Sequence, residues 1–443
     1  MPEPKAMKTA KNIFAAVAAV VLAATPLVGR GMTIDVEKVQ QRYPWNGLVD
    51  IDYTITRTDG EPALEPAKNS VEISVVNCEV TPAVTNVAHV FRQGVLPVSD
   101  GTHRVTWDAN AEGINFKSQN VKVFAEIVHY AEKYMVIDVH EGPNATVYPV
   151  TYLHGAPEGG FNTADEYKGD KIALRLIPPG SFVMGSPTTE PGRTSFVARE
   201  VQHAVAITKP FYIGVFEITQ KQYKNVMNAD PSLYKGDYRP VEKVAYNDIR
   251  GTANTETHQY DWPNNQYVDL QNSFMGKLRS KCKEWDSDTQ TYAKEVDGLF
   301  DLPTEAQWEY ACRAGTTTPY NNGVACADAA ALDGQLENLG RYTKIGGSAS
   351  QHAVVGSYKA NAWGLYDMHG NVLEWCIDWY QEDVQNIKNP SFDPVGAAAG
   401  KNRVKRSGGF GYDATFCRSA FRSDDPSTTK DVSIGFRLSR TLP

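Results

Sequence analysis

Apolar and polar residues alternate along the first third of the chain. Val49, Ile51, Tyr53 and Ile55 alternate with Asp50, Asp52, Thr54 and Thr56, and Val71, Ile73 and Val75 repeat the pattern. Val105 and Trp107 follow the turn Ser99-Asp100-Gly101, and Val121, Val123 and Ala125 continue it. Successive side chains of a strand point to opposite faces. Such runs, separated by Gly, Asp and Asn turns, predict half-buried antiparallel strands between about Thr33 and Val150.

The texture then changes. Residues 151–170 are rich in Gly, Asp and Glu (Glu158-Gly159-Gly160-Phe161-Asn162) and read as a linker. From Lys171 onward short apolar runs are broken by long polar loops. Two helices are predicted from their starts. Thr219 with Gln222, and Thr304 with Gln307 just after Pro303, have capping-box spacing. Trp308, Ala311 and Cys312 recur at helical spacing in the second. The polar stretch from Gly251 to Asp297 reads as an insertion with one helix around Leu278 to Trp285.

Composition narrows the possibilities. The chain has 443 residues, 44 Lys+Arg against 52 Asp+Glu, and a net charge of −8. No basic run exists beyond the stretch from Lys401 to Arg406, so nucleic acid is not an expected partner. With 22 Tyr, 8 Trp, 35 Gly and 25 Pro, the chain is a poor candidate for a helical bundle. Lys5, Lys8 and Lys11 precede an apolar run from Ile13 to Ala24 that ends in small residues, the pattern of a secretory leader over 1–31. The run is too short to span a bilayer, and the alternative is a short uncleaved anchor. The expectation is an exported protein, periplasmic or secreted, with no membrane span once the leader is removed. Six cysteines (Cys78, Cys282, Cys312, Cys326, Cys376 and Cys417) permit disulfides in that compartment, and no two have CxxC spacing.

Five segments of the second half occur in a fixed order. They are Ile177-Pro-Pro-Gly-Ser-Phe-Val-Met-Gly185, Phe211-Tyr-Ile-Gly-Val-Phe-Glu-Ile-Thr219 and Leu302-Pro-Thr-Glu-Ala-Gln-Trp-Glu-Tyr-Ala-Cys-Arg-Ala-Gly315. Then follow Gly364-Leu-Tyr-Asp-Met-His-Gly-Asn-Val-Leu-Glu-Trp375, and Cys417-Arg-Ser-Ala-Phe-Arg422 with Ile434-Gly-Phe-Arg437. Together they resemble the formylglycine-generating enzyme (sulfatase-modifying factor) domain, over roughly residues 171 to 440. The resemblance implies an α+β fold related to C-type lectins, with much irregular structure. The stretch from Asp100 to Asp108 resembles a strand-turn of immunoglobulin-like modules on bacterial exported proteins. The expected organisation is a leader at 1–31, an immunoglobulin-like β-sandwich at 32–150, a linker at 151–170 and the formylglycine-generating-enzyme-like domain at 171–443.

Site residues follow from the motifs. Asp367 and Glu374 flank a Gly-Asn turn whose carbonyls can converge with them, a set of hard oxygens suited to Ca²⁺. The resemblance implies a structural Ca²⁺ on Asp367, Gly370, Val372 and Glu374; the plain alternative is a turn with solvated carboxylates. The family's second Ca²⁺ site would use Asn338 and Leu339, but its Asp falls near Gly347. The family also implies Cu(I) on two cysteines five residues apart, activating O₂ to oxidise a substrate cysteine. The matching stretch, Gly408 to Cys417, holds one cysteine. A lone thiolate grips Cu(I) poorly. The family ties the cysteine of its WEYxC helix to the C-terminal segment, at the position of Ser419. If the segment is a strand, Cys417 faces the same side, and a Cys312–Cys417 disulfide is expected; the alternatives are two free buried thiols, or Cys417 as a reactive nucleophile.

Arg418, Arg422 and Arg437 are expected in ion pairs with carboxylates such as Glu305 and Glu309. Trp308, Trp375 and Trp379 are expected in the core. On this fold some C-terminal domains bind ligands through the stretch occupied here by Phe410, Tyr412, Asp413 and Phe416, which offers aromatic faces and one acceptor. The leading expectation is an exported, Ca²⁺-stabilised domain that recognises a protein or glycan ligand, a sulfatase among the possible partners, and does not catalyse. The alternative is a formylglycine-generating oxidase using copper and O₂ to convert a sulfatase cysteine.

Overall fold

The computed structural model describes residues 32–42, 47–58, 69–77, 84–88, 91–92, 96–110, 121–129, 133–193, 197–252, 271–296, 299–326, 328, 331–344, 351–384 and 391–442. The leader read at 1–31, Cys78 and Gly347 lie outside them. The chain divides into two compact units, one built from segments up to Ile127, the other chiefly Val128–Pro443.

The N-terminal unit holds two three-stranded sheets. Strand Leu48–Arg57 lies between Met32–Gln41 and Gly101–Asp108, antiparallel to both, with Val49 opposite Trp107 and Ile51 opposite Val105. The alternation sorts the faces as expected. Ile51, Tyr53, Val105 and Trp107 are fully buried. On the other face Asp52 pairs with Arg104 at 2.6 Å and Asp50 with Arg42 at 2.9 Å. In the second sheet Asn69–Asn77 pairs antiparallel with Val84–Ala88 and has Val121–His129 on its other side.

The second unit is mixed α and β. Its largest sheet has eight strands in the order Thr291–Glu295, Cys282–Asp286, Tyr148–Leu153, Tyr134–Asp138, Lys171–Ile177, Phe211–Gly214, Ser439–Thr441 and Leu299–Asp301. The alternation alone places two of these strands with the N-terminal module. Tyr134–Asp138 instead pairs with Lys171–Ile177, Ile137 opposite Ile172, and Tyr148–Leu153 joins its other edge. Alternation marks a strand but does not name its partner. The stretch read as a linker is also folded. Phe161 and Tyr167, on two short helical turns, are buried, and the Phe161 ring lies 4.7 Å from that of Tyr134.

A four-stranded sheet runs Ser423–Asp425, Arg403–Arg406, Leu373–Trp379, Ile434–Gly435. A three-stranded one runs Gly180–Met184, His203–Ile207, Ser391–Phe392. Helices Gln220–Met227 and Glu305–Arg313 both start in complete capping boxes, Thr219 with Gln222 and Thr304 with Gln307. The helix expected around 278–285 is displaced. It spans Phe274–Lys281, capped by Ser273, and Cys282–Asp286 is a strand. Trp308, Trp375 and Trp379 are buried, as expected of core residues.

Candidate functional site

The segment from Asp367 to Glu374 enters the domain core through a tight turn. Asp367, Gly370 and Asn371 all have positive φ. A Cβ at Gly370 would lie 2.3 Å from the Arg341 carbonyl, so only glycine allows the two backbones to approach. The turn delivers two carboxylates beside a third, Glu217, which ends the apolar run Phe211–Phe216. All three are buried. Glu217 accepts from Asn371 Nδ2 at 2.6 Å and from the Val372 amide at 3.1 Å. Glu374 accepts from Arg437 Nε at 2.9 Å, Arg437 Nη2 at 2.7 Å and Trp308 Nε1 at 2.7 Å. Asp367 Oδ2 accepts from the Gly356 amide at 2.6 Å, while its Oδ1 is buried without a partner among the described residues.

Burial drives the acid chemistry here. It pushes Glu217 well above the usual carboxylate range, and the neighbouring Asp367 and Glu374 add to the effect. Burial likewise raises Asp367 to about 6, against the opposing pull of the Gly356 amide and Arg437. A Ca²⁺ cage needs about six to eight oxygens with lone pairs turned to the ion. Of the expected ligands Asp367, Gly370, Val372 and Glu374, two are already engaged within the protein. The Glu374 carboxylate accepts three N–H bonds and abuts a guanidinium. The Gly370 carbonyl accepts from Ser407 Oγ at 2.9 Å. Arg437 supplies one positive charge beside these three carboxylates, and among the described residues Asp367 Oδ1 is the oxygen left open.

Cys312 and Cys417 are both free and buried, which corrects the expected disulfide. The reason is local. Cys417 does not lie in a strand; it ends the 3₁₀ turn Ala414–Cys417, whose cap is Asp413 accepting from the Thr415 amide at 2.9 Å. The same-face rule for residues two apart in a strand therefore fails. The Cys312 thiol meets Ser419 Oγ at 3.6 Å and the Met368 carbonyl at 3.6 Å. Cys417 packs with Tyr320, Leu332, Leu336 and Ala414. Burial pushes both thiols up to about 12. Without a metal both therefore stay neutral thiols near neutral pH. His369, the imidazole beside them, has both nitrogens engaged, Nδ1 by the Cys417 carbonyl at 2.8 Å and Nε2 by the Asn321 amide at 3.1 Å. Among the described residues, no group of three or more His, Cys, Asp or Glu side chains is placed to hold a metal.

The aromatic stretch is divided between core and surface. Phe410 is buried against Tyr234 at 5.8 Å and His352 at 5.9 Å. Tyr412 and Phe416 are half-buried with rings 6.0 Å apart. Asp413 Oδ1 is occupied by Thr415, from its amide and its hydroxyl at 2.5 Å. The arginines find carboxylates, though not all those expected. Arg422 pairs with Glu305 at 2.5 Å, Arg418 with Glu190 at 2.6 Å and Glu200 at 2.9 Å, and Arg437 with Glu374. Glu309 is taken by Arg406 and Arg313. Sequence reasoning missed Glu217 and His369. A single carboxylate closing an apolar run was the available signal for the first.

These features belong to one class, an α+β domain in which irregular loops are pinned by buried ion pairs. The sulfatase-modifying factor enzyme 1-like domain family matches residues 163–442, more than half of the chain, and the protein belongs to that family. It is 35% identical over 179 residues to the chaperone protein LppX of Paenibacillus barcinonensis, covering 38% of this chain and 62% of that protein. It is 34% identical over 145 residues to the formylglycine-generating enzyme of Streptomyces coelicolor, covering 31% of this chain and 45% of that enzyme. The match thus spans less than two thirds of either relative. Among solved structures it is similar to Treponema denticola variable protein 1, with TM-score 0.46 and 23% identity over 62% of this chain and 96% of that one. No helix among the described residues is long and apolar enough to cross a membrane.

Proposed function

We propose that this protein is an exported family member that recognises a protein or glycan through the loop carrying Phe410, Tyr412, Asp413 and Phe416, and does not oxidise cysteine. The observation that carries this reading is the state of Cys417. Its sulfur is fully buried, packed on Gly408, and pushed up to about 12 by burial. A redox centre needs a thiolate that metal and substrate can reach. The half-exposed Tyr412 and Phe416 beside it supply amphipathic contact area of the kind found in recognition sites.

The test has two arms. Incubation with a sulfatase-type CxPxR peptide, Cu(I) and O₂ should leave the peptide cysteine unchanged by mass spectrometry; conversion to the aldehyde rejects the proposal. In the second arm, peptide and glycan arrays should yield a ligand whose binding falls at least about tenfold in Tyr412→Ala or Phe416→Ala, the loss of a well-packed aromatic contact. Unchanged binding in both variants would place recognition elsewhere.

A further inference from the structure

We propose a second ligand site, independent of the aromatic loop and of its proposed function: a polar cleft of about 650 Å³ that fits a neutral saccharide. Its walls carry Asn162, Asn338, Ser357, Tyr358, Lys359 and Tyr366.

The cleft is pre-organised. Tyr366 donates its hydroxyl to Asn162 Oδ1 at 3.2 Å, which fixes the carboxamide. The Tyr366 ring is braced from behind by Phe216, 5.0 Å away. The Lys359 amide donates to the Asn338 carbonyl at 2.9 Å and joins the two sides. Gly356 forms part of the lining at φ +70, and a Cβ there would lie 2.6 Å from Phe216 Cε1, so the wall admits no side chain. Its amide is anchored by Asp367 Oδ2 at 2.6 Å.

The cleft also presents polar groups that solvent reaches, Asn338 and Lys359 exposed and Tyr358 half-buried. Among the described residues, the Asn338 carboxamide, the Tyr358 hydroxyl and the Lys359 ammonium have no partner. Glu337 at the rim is neutralised by Lys344 at 2.8 Å. Carboxamides donate and accept at once and so match paired hydroxyls, and tyrosine rings receive the C–H face of a sugar. A lining this polar offers little to an apolar ligand. One unpaired lysine is too little for a nucleic acid.

The full chain should be titrated with neutral gluco-, manno- and chito-oligosaccharides, with saturation-transfer NMR and calorimetry as readouts. At least one is expected to bind saturably. Asn338→Ala and Tyr358→Ala change side chains without structural partners, and each should weaken binding about tenfold, the value of one good hydrogen bond. Phe416→Ala should leave it unchanged, which separates this site from the aromatic loop. Three results would overturn the inference: no saturable binding in the panel, binding insensitive to both cleft variants, or loss in Phe416→Ala alone.

Discussion

His369 donates from Nδ1 to the Cys417 carbonyl at 2.8 Å, and its Nε2 lies 3.8 Å from the Cys312 sulfur. The imidazole therefore stands between the two cysteines, bound to the backbone of one and touching the thiol of the other. Both thiols should label in denaturant without reductant, as measured by peptide mass mapping. In the native state Cys417 should label far more slowly than the partly exposed Cys326. Protection of Cys312 and Cys417 until reduction would contradict this arrangement.

The contact at Ser419 predicts a gain of function in the covalent sense. Cys312 Sγ and Ser419 Oγ are 3.6 Å apart, so Ser419→Cys should form a disulfide with Cys312 under mild oxidation. Closing a loop of about 100 residues should stabilise the domain by up to roughly 4 kcal/mol in the chain-entropy picture. Chemical denaturation with and without reductant measures it.

His369 makes stability depend on pH. Burial, and then the Arg313 charge, hold it down at about 4 despite the Cys417 carbonyl. Between an ordinary imidazole value near 6.5 and about 4, the unfolded chain binds a proton that the folded chain refuses. Stability attributable to His369 is therefore full above about pH 6.5 and falls toward pH 4, by an order of about 3 kcal/mol. Asp367, raised to about 6, has the opposite sign and gains stability as pH falls through that value. The wild type should show a shallow profile, while His369→Gln becomes relatively more stable in acid and Asp367→Asn relatively less. Urea unfolding near pH 7.5 and 4.5 reads both.

Arg437 neutralises Glu374 in a site closed to water. Arg437→Gln should cost about 3–5 kcal/mol, because the remaining carboxylate is buried and unpaired. Adding Glu374→Gln should recover most of that loss. Because the arginine supplies the charge, EDTA or added Ca²⁺ should move the melting temperature by less than about 1 °C. A calcium-dependent rise would reinstate the ion.

Much of this fold is legible in the residues where local physics decides the outcome. The Val49–Ile55 alternation sorts into buried and exposed faces, and the Thr219 and Thr304 boxes close as their spacing requires. What fails is what depends on distant partners. Tyr134–Asp138 is apolar on both faces because it lies inside an eight-stranded sheet, and one of its two neighbours, Lys171–Ile177, pairs with it from Tyr134 opposite Arg175 to Asp138 opposite Lys171, more than thirty positions on. The Cys312–Cys417 pairing assumed a strand where Asp413 sets a 3₁₀ turn. The spacing that offers Glu374 as a ligand shows the carboxylate but not Arg437, 63 residues on, which pairs with it.

Gly408 holds a last consequence. With φ +75, its missing Cβ would sit 2.6 Å from the Cys417 sulfur and 2.5 Å from the Phe416 carbonyl. The volume a second sulfur would need at this point is already filled by the first. A cysteine cannot be added at position 408 without displacing Cys417 or the Phe416 carbonyl, so any thiol grafted beside Cys417 has to come from another position of the loop.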